Sequence, residues 1–154
     1  MLKKIVLILS FVSVAGATAP SFAQADLVEI MRSDLRTQKK ARLTQAMQMT
    51  EAQSEAFWPV YNQYESELIV LNDTRLALIK DYASNYDTMT DPVAKDLVKR
   101  SFKWQEGNTK LLKKYYGKME KAVTPIVAAR WVQAEHAINS MIDVQVASEI
   151  PLIQ

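Results

Sequence analysis

Residues 49–71, MTEAQSEAFWPVYNQYESELIVL, hold a helix start followed at once by the beginning of a long packing seam. Thr50 and Gln53 stand at the spacing of a capping box. A threonine N-cap accepts from the backbone N–H three residues on, and a glutamine at that position reaches back to the N–H of the cap. The pair therefore satisfies two donors that a new helix leaves unpaired. Behind the cap, Phe57, Tyr61, Tyr64, Leu68, Leu71, Arg75, Leu78 and Tyr82 recur at alternating steps of four and three. That is the period of a helix that packs lengthwise against another helix. Arg75, the polar member, is expected to snorkel from the seam edge rather than to fix register from inside it. Pro59 removes one helical hydrogen bond and crowds the carbonyl four residues back, so a bend is expected near Glu55 to Pro59.

Working outward, the stretch SNYDTMTDP at 84–92 interrupts the pattern with turn formers, and MTDPV at 89–93 is a degraded copy of MTEAQ. Met89 and Thr90 repeat Met49 and Thr50, but Val93 replaces the glutamine. Either Thr90 caps a third helix without a reciprocal partner, or Asp91 caps it with Pro92 in the favoured first position. This helix has Leu97, Val98, Trp104, Leu111, Leu112, Tyr115 and Met119 on its apolar side, and Gly107 and Asn108 are its expected soft point. Thr124 and Pro125 mark the next boundary, with a fourth helix from Ile126 to about Ser148 before the tail EIPLIQ. Upstream, residues 26–47 read as a first helix, with Leu27, Ile30, Met31 and Leu35 on one side. The expected fold is all-α, its long bent helices forming an antiparallel hairpin.

Residues 1–25 have the pattern of a secretory signal peptide: Lys3 and Lys4, an apolar run from Ile5 to Val14, then small residues around Ala23 and Ala25. The apolar run is short of the ~20 residues that span a bilayer. A cleaved leader implies export, and the chain that remains, 26–154, has the length of one domain and is expected to be helical throughout. The chain has no cysteine, so neither a lipid anchor on cysteine nor a disulfide is available. Beyond the leader 17 basic and 17 acidic residues remain, which argues against a nucleic-acid-binding face.

That neutral total conceals a sorting by helix. Residues 49–91 carry two basic and eight acidic groups, and residues 92–130 carry ten and three. An acidic helix followed by a basic one of similar length favours antiparallel closure over mispairing, although single surface pairs contribute only ~0–1 kcal/mol. Helices of some thirty residues run roughly 50 Å at 1.5 Å per residue, which leaves long seams to cover and makes a homodimer a natural expectation.

A leader, a cysteine-free helical chain and MTEAQ with its decayed echo MTDPV resemble the LTxxQ-motif periplasmic proteins, the Spy/CpxP-like group, through Met49, Thr50, Gln53, Met89 and Thr90. Met49 and Met89 stand where leucine is usual, and Val93 departs from the motif. The resemblance implies a cradle-like helical homodimer that binds unfolded or partly folded clients without ATP during envelope stress. It also allows two alternatives, an accessory regulator that binds an envelope stress sensor and a metal-responsive periplasmic protein.

The expected client-binding face lies on the first helix, where Arg32, Arg36, Lys39, Lys40 and Arg42 cluster near Ile30, Met31, Leu35 and Leu43. An ordinary solvated helix face would show the same pattern. Catalysis, a cofactor and a metal site are not expected. His136 is the single histidine, with no serine partner in view, and the methionines are dispersed and suit core positions. Trp58 and Pro59, beside the expected bend, are the one place where a groove is anticipated.

Overall fold

A computed structural model describes residues 36–153. The expected leader, residues 26–35 of the expected first helix, and with them Ile30, Met31, Arg32 and Leu35, lie outside the described residues. Residues 41–154 form a compact unit of their own. The described elements are α1 (residues 36–47), α2 (Glu51–Asn85), a 3-10 turn (Tyr86–Thr88), α3 (Asp91–Ala122) and α4 (Pro125–Glu149). No strand occurs among the described residues.

Each start has a local cause. At α2 the capping box is complete: Thr50 N–H donates to Gln53 Oε1 at 3.0 Å, and Gln53 N–H donates to Thr50 Oγ1 at 3.3 Å. At α3, Thr90 is the N-cap but its side chain makes no capping bond, and Pro92 falls in the first turn. The position is that of the first of the two starts the sequence allowed, but the cap itself is not made, by Thr90 or by Val93. At α4, Thr124 Oγ1 accepts from the Val127 N–H at 3.3 Å, and Pro125 opens the helix where its missing N–H costs nothing. Between α1 and α2 stands Gln48, whose φ of 45° lies in the left-handed region. The helix end before it is satisfied from across the fold, since Arg130 Nη1 donates to the Met47 carbonyl at 2.6 Å.

α2 and α3 pair as an antiparallel hairpin in a constant register. Arg100 Nη2 meets Asp81 Oδ2 at 2.7 Å, Lys114 Nζ meets both Glu67 carboxylate oxygens at 2.7 Å, and Lys118 Nζ reaches Gln63 Oε1 at 3.4 Å. Fourteen residues back along α2, from Asp81 to Glu67, match fourteen forward along α3, from Arg100 to Lys114. The acidic and basic helices thus face each other as their charges anticipate. Arg75 does more than snorkel. Its guanidinium lies 4.5 Å from the Trp104 ring centre and pairs with Asp143 of α4 at 2.6 Å, so one seam side chain ties three helices. Pro59 is exposed, and α2 passes through it as a single helix.

The core is concentrated where α1, α4 and the open end of the hairpin meet. Leu43, Met47, Phe57, Tyr61, Tyr64, Met119, Ala128 and Trp131 are fully buried, with Leu68, Leu111, Tyr115 and Val127 nearly so. At about 1.5–3 kcal/mol for each large apolar side chain removed from water, this cluster supplies most of the stabilisation. Two expectations on α3 are corrected. Val98 is 48% exposed, because a residue next to buried Leu97 is turned about 100° away from the core. Gly107 is no soft point. A Cβ there would lie 3.0 Å from Leu71 Cδ1, so the glycine is where the hairpin's two helices approach closely.

Candidate functional site

The described residues among those singled out on the first helix differ in exposure. Arg42 is exposed, and Arg36, Lys39 and Lys40 are partly covered. Leu43 is fully buried in the core cluster with Met47, and it is therefore unavailable to a client. It faces inward because it sits one helical turn before Met47 on the side that meets α4. Among the motif residues, Met49 packs against the core, Thr50 and Gln53 serve the cap, Met89 is partly buried and Thr90 is exposed. Their role here is to start helices.

An exposed face of mixed chemistry appears instead on α3. Val98, Phe102, Gln105 and Thr109 follow one another at steps of four, three and four, opposite the inward stripe of Leu97, Trp104, Leu111 and Tyr115. Phe102 is 59% exposed, and the exposed side chains Lys95, Lys99 and Lys103 flank it and Val98. A shallow hollow of about 370 Å³ continues the face along Phe102, Gln105, Glu106, Thr109 and Lys110. Phe102 is not among the residues expected on the apolar side of this helix, and Lys95, Lys99 and Lys103 are the sequence signal for an exposed face here.

The interior holds a second arrangement, built from polar groups inside the aromatic cluster. Tyr64 stands edge-on to Trp131 (centroids 5.1 Å apart) and to Tyr115 (5.6 Å), and its hydroxyl donates to Glu135 Oε1 at 2.8 Å. Glu135 is fully buried. Its position was legible, since Ala128, Trp131 and Glu135 recur at steps of three and four on the inward side of α4. Burial, and then the neighbouring Glu135, push the Tyr64 hydroxyl well above the ordinary phenol range, and Tyr61 is raised by burial with Glu135 and Glu65 nearby. The Tyr61 hydroxyl, also buried, has no hydrogen-bond partner among the described residues. Tyr115 is pushed up to about 12, chiefly by burial and then by donating to Glu67 Oε1 at 2.7 Å. Trp58 is held against Phe57 and Tyr61, and its Nε1–H donates to Ser54 Oγ at 3.0 Å. The anticipated groove beside Pro59 is filled by this packing.

His136, next to Glu135 in sequence, faces solvent. Among the described residues, no group of three or more His, Cys, Asp or Glu is gathered to hold a metal, and no helix is long and apolar enough to cross a membrane. Compared with known protein families, with curated proteins and with solved structures, the chain matches none of them.

Proposed function

We propose that this chain is a chaperone-like protein of the LTxxQ type, exported to the periplasm, which binds partly folded clients without ATP. The observation that carries the reading is the α3 face, where exposed Val98 and Phe102 are interleaved with Lys95, Lys99 and Lys103. Apolar contacts of this size are individually weak and non-directional, which suits clients that share no sequence. Lysines beside them draw in acidic segments before contact and are screened by salt. The face seen on α3 takes the place of the one expected on α1. The homodimer belongs to the same proposal, supported by Met141, Ile142 and Val144, which leave the second half of α4 apolar and exposed.

The test is suppression of aggregation. The full chain is expected to delay light scattering by several unrelated, chemically denatured proteins. Val98→Ser with Phe102→Ser should weaken that suppression roughly tenfold, the scale of losing one or two apolar contacts, with the helical circular dichroism unchanged. Lys99→Glu with Lys103→Glu should weaken it less and abolish its salt dependence. Protection by the double serine variant equal to that of the parent would remove the α3 face from the proposal. Protection of a single protein while the others aggregate would make the chain a dedicated adaptor.

A further inference from the structure

The C-terminal tail makes contacts that neither the core nor the α3 face uses. α4 stops at Glu149 because Pro151 cannot continue a helix and biases the residue before it toward extended backbone; Ile150 has φ −101° and ψ 110°. The chain then lies beside the junction of α2 with the 3-10 turn, where Tyr82 and Tyr86 stand four residues apart with ring centres 5.8 Å apart. The Tyr82 hydroxyl donates to the Pro151 carbonyl at 2.6 Å, and the Tyr86 hydroxyl donates to the Leu152 carbonyl at 3.3 Å. Ile150 is partly buried, whereas Leu152 is 88% exposed and Ile153 47% exposed. The tail is thus held by two successive main-chain carbonyls and one apolar side chain, while the side chains that follow the proline go unread. Desolvation, with Tyr86 close by, raises the Tyr82 hydroxyl above its ordinary range, and like any phenol it is a donor at neutral pH.

We propose that Tyr82 and Tyr86 form a seat for an extended peptide segment in which an apolar residue precedes proline, and that residues 150–152 occupy it as a built-in competitor. Two hydroxyls aimed at backbone carbonyls select conformation over sequence. Proline adds a fixed φ and no N–H that would need a partner. A tethered segment competes at an effective concentration in the millimolar range, so the seat opens only to clients present in several copies or already held elsewhere on the molecule. The inference rests on the client-binding reading for its class of ligand, but it uses residues separate from the α3 face.

The probe is a fluorescent hexapeptide copying residues 149–154, followed by anisotropy. The full chain should bind it weakly, and a variant ending at Glu149, which lacks the whole occupying segment, should bind it at least about tenfold more tightly. Adding Tyr82→Phe and Tyr86→Phe to the shortened variant should return binding to the weak level. A hexapeptide of glycine and serine should not bind. Equal affinity with and without the tail, indifference to the phenylalanines, or equal binding of the glycine–serine peptide would each overturn the proposal. A readout on the full chain covers the case of a shortened variant that misfolds: excess hexapeptide should speed carboxypeptidase trimming of the tail severalfold, and unchanged trimming would refute displacement. The Val98→Ser and Phe102→Ser variant should bind the hexapeptide normally, so the failure of one proposal is distinguishable from that of the other.

Discussion

The two ends of the α2–α3 hairpin obey one seam pattern and are built differently. At the open end, Phe57, Tyr61, Tyr64 and Leu68 of α2 are buried under α1 and α4, and aromatic rings fill the space between helices. Toward the turn, the seam members Leu71, Arg75, Leu78 and Tyr82 are only partly covered, and Leu97 is the buried α3 residue on that side. Contacts there include the Arg75–Asp143 and Arg100–Asp81 ion pairs and the close approach of Leu71 to Gly107. A heptad-like stripe therefore tells which side of a helix faces inward, while the number of neighbours on that side decides how much water is excluded.

Substitutions should read this difference directly. Trp131→Ala, at the centre of the ring cluster, is expected to cost about 3–5 kcal/mol by urea denaturation, against roughly 1 kcal/mol for Leu78→Ala near the turn. Equal costs would break the contrast. The next effect lies inside the aromatic cluster and has opposite signs at neighbouring positions. Tyr64→Phe removes a donor from buried Glu135 and should cost about 1–3 kcal/mol, whereas Tyr61→Phe removes a hydroxyl without a partner and should be neutral or stabilising by up to ~1 kcal/mol. A loss from Tyr61→Phe comparable to that from Tyr64→Phe would show that its hydroxyl is satisfied.

The smallest effect concerns the charges between the helices. Lys114→Ala should cost only ~0–1 kcal/mol and less still in 1 M salt. pH adds a sign. The Glu67 carboxyl is held below the ordinary range, first by its hydrogen bond from Lys114 and then by that from Tyr115. Its contribution is present above about pH 4.3 and is lost as pH falls through the lowered folded value. Glu67→Gln should therefore flatten the acid side of the stability profile. The raised hydroxyls of Tyr61, Tyr64 and Tyr115 act in the other direction: their contribution is complete below about pH 10 and declines as pH rises beyond it, which tyrosinate absorbance measured alongside circular dichroism would follow.

Much of this was legible in the chain. Thr50 with Gln53, Pro92 and Thr124 with Pro125 place the helix starts, because capping chemistry is local and uses few residue types. The charge sorting reports the pairing of α2 with α3, since it acts over the whole length of both helices. What escaped depends on contacts between distant residues. Leu43, expected beside the basic residues around it, is buried in the core cluster with residues of α2, α3 and α4. Glu135 meets Tyr64 across 71 residues of chain, and the close approach at Gly107 needs Leu71 opposite. Phe102 faces outward with Val98 and Glu106, its neighbours at four-residue spacing.

The uniform register of the hairpin also bears on how the chain reaches its native state. Asp81 and Arg100 are separated by 19 residues, whereas Tyr64 and Glu135 are separated by 71. Ordering the short connection costs less chain entropy than ordering the long one, so zipping outward from the turn is the cheaper route to closure. The most sparingly packed part of the molecule is then the natural place for folding to begin, and the aromatic interior is sealed last, when the final helix swings into place.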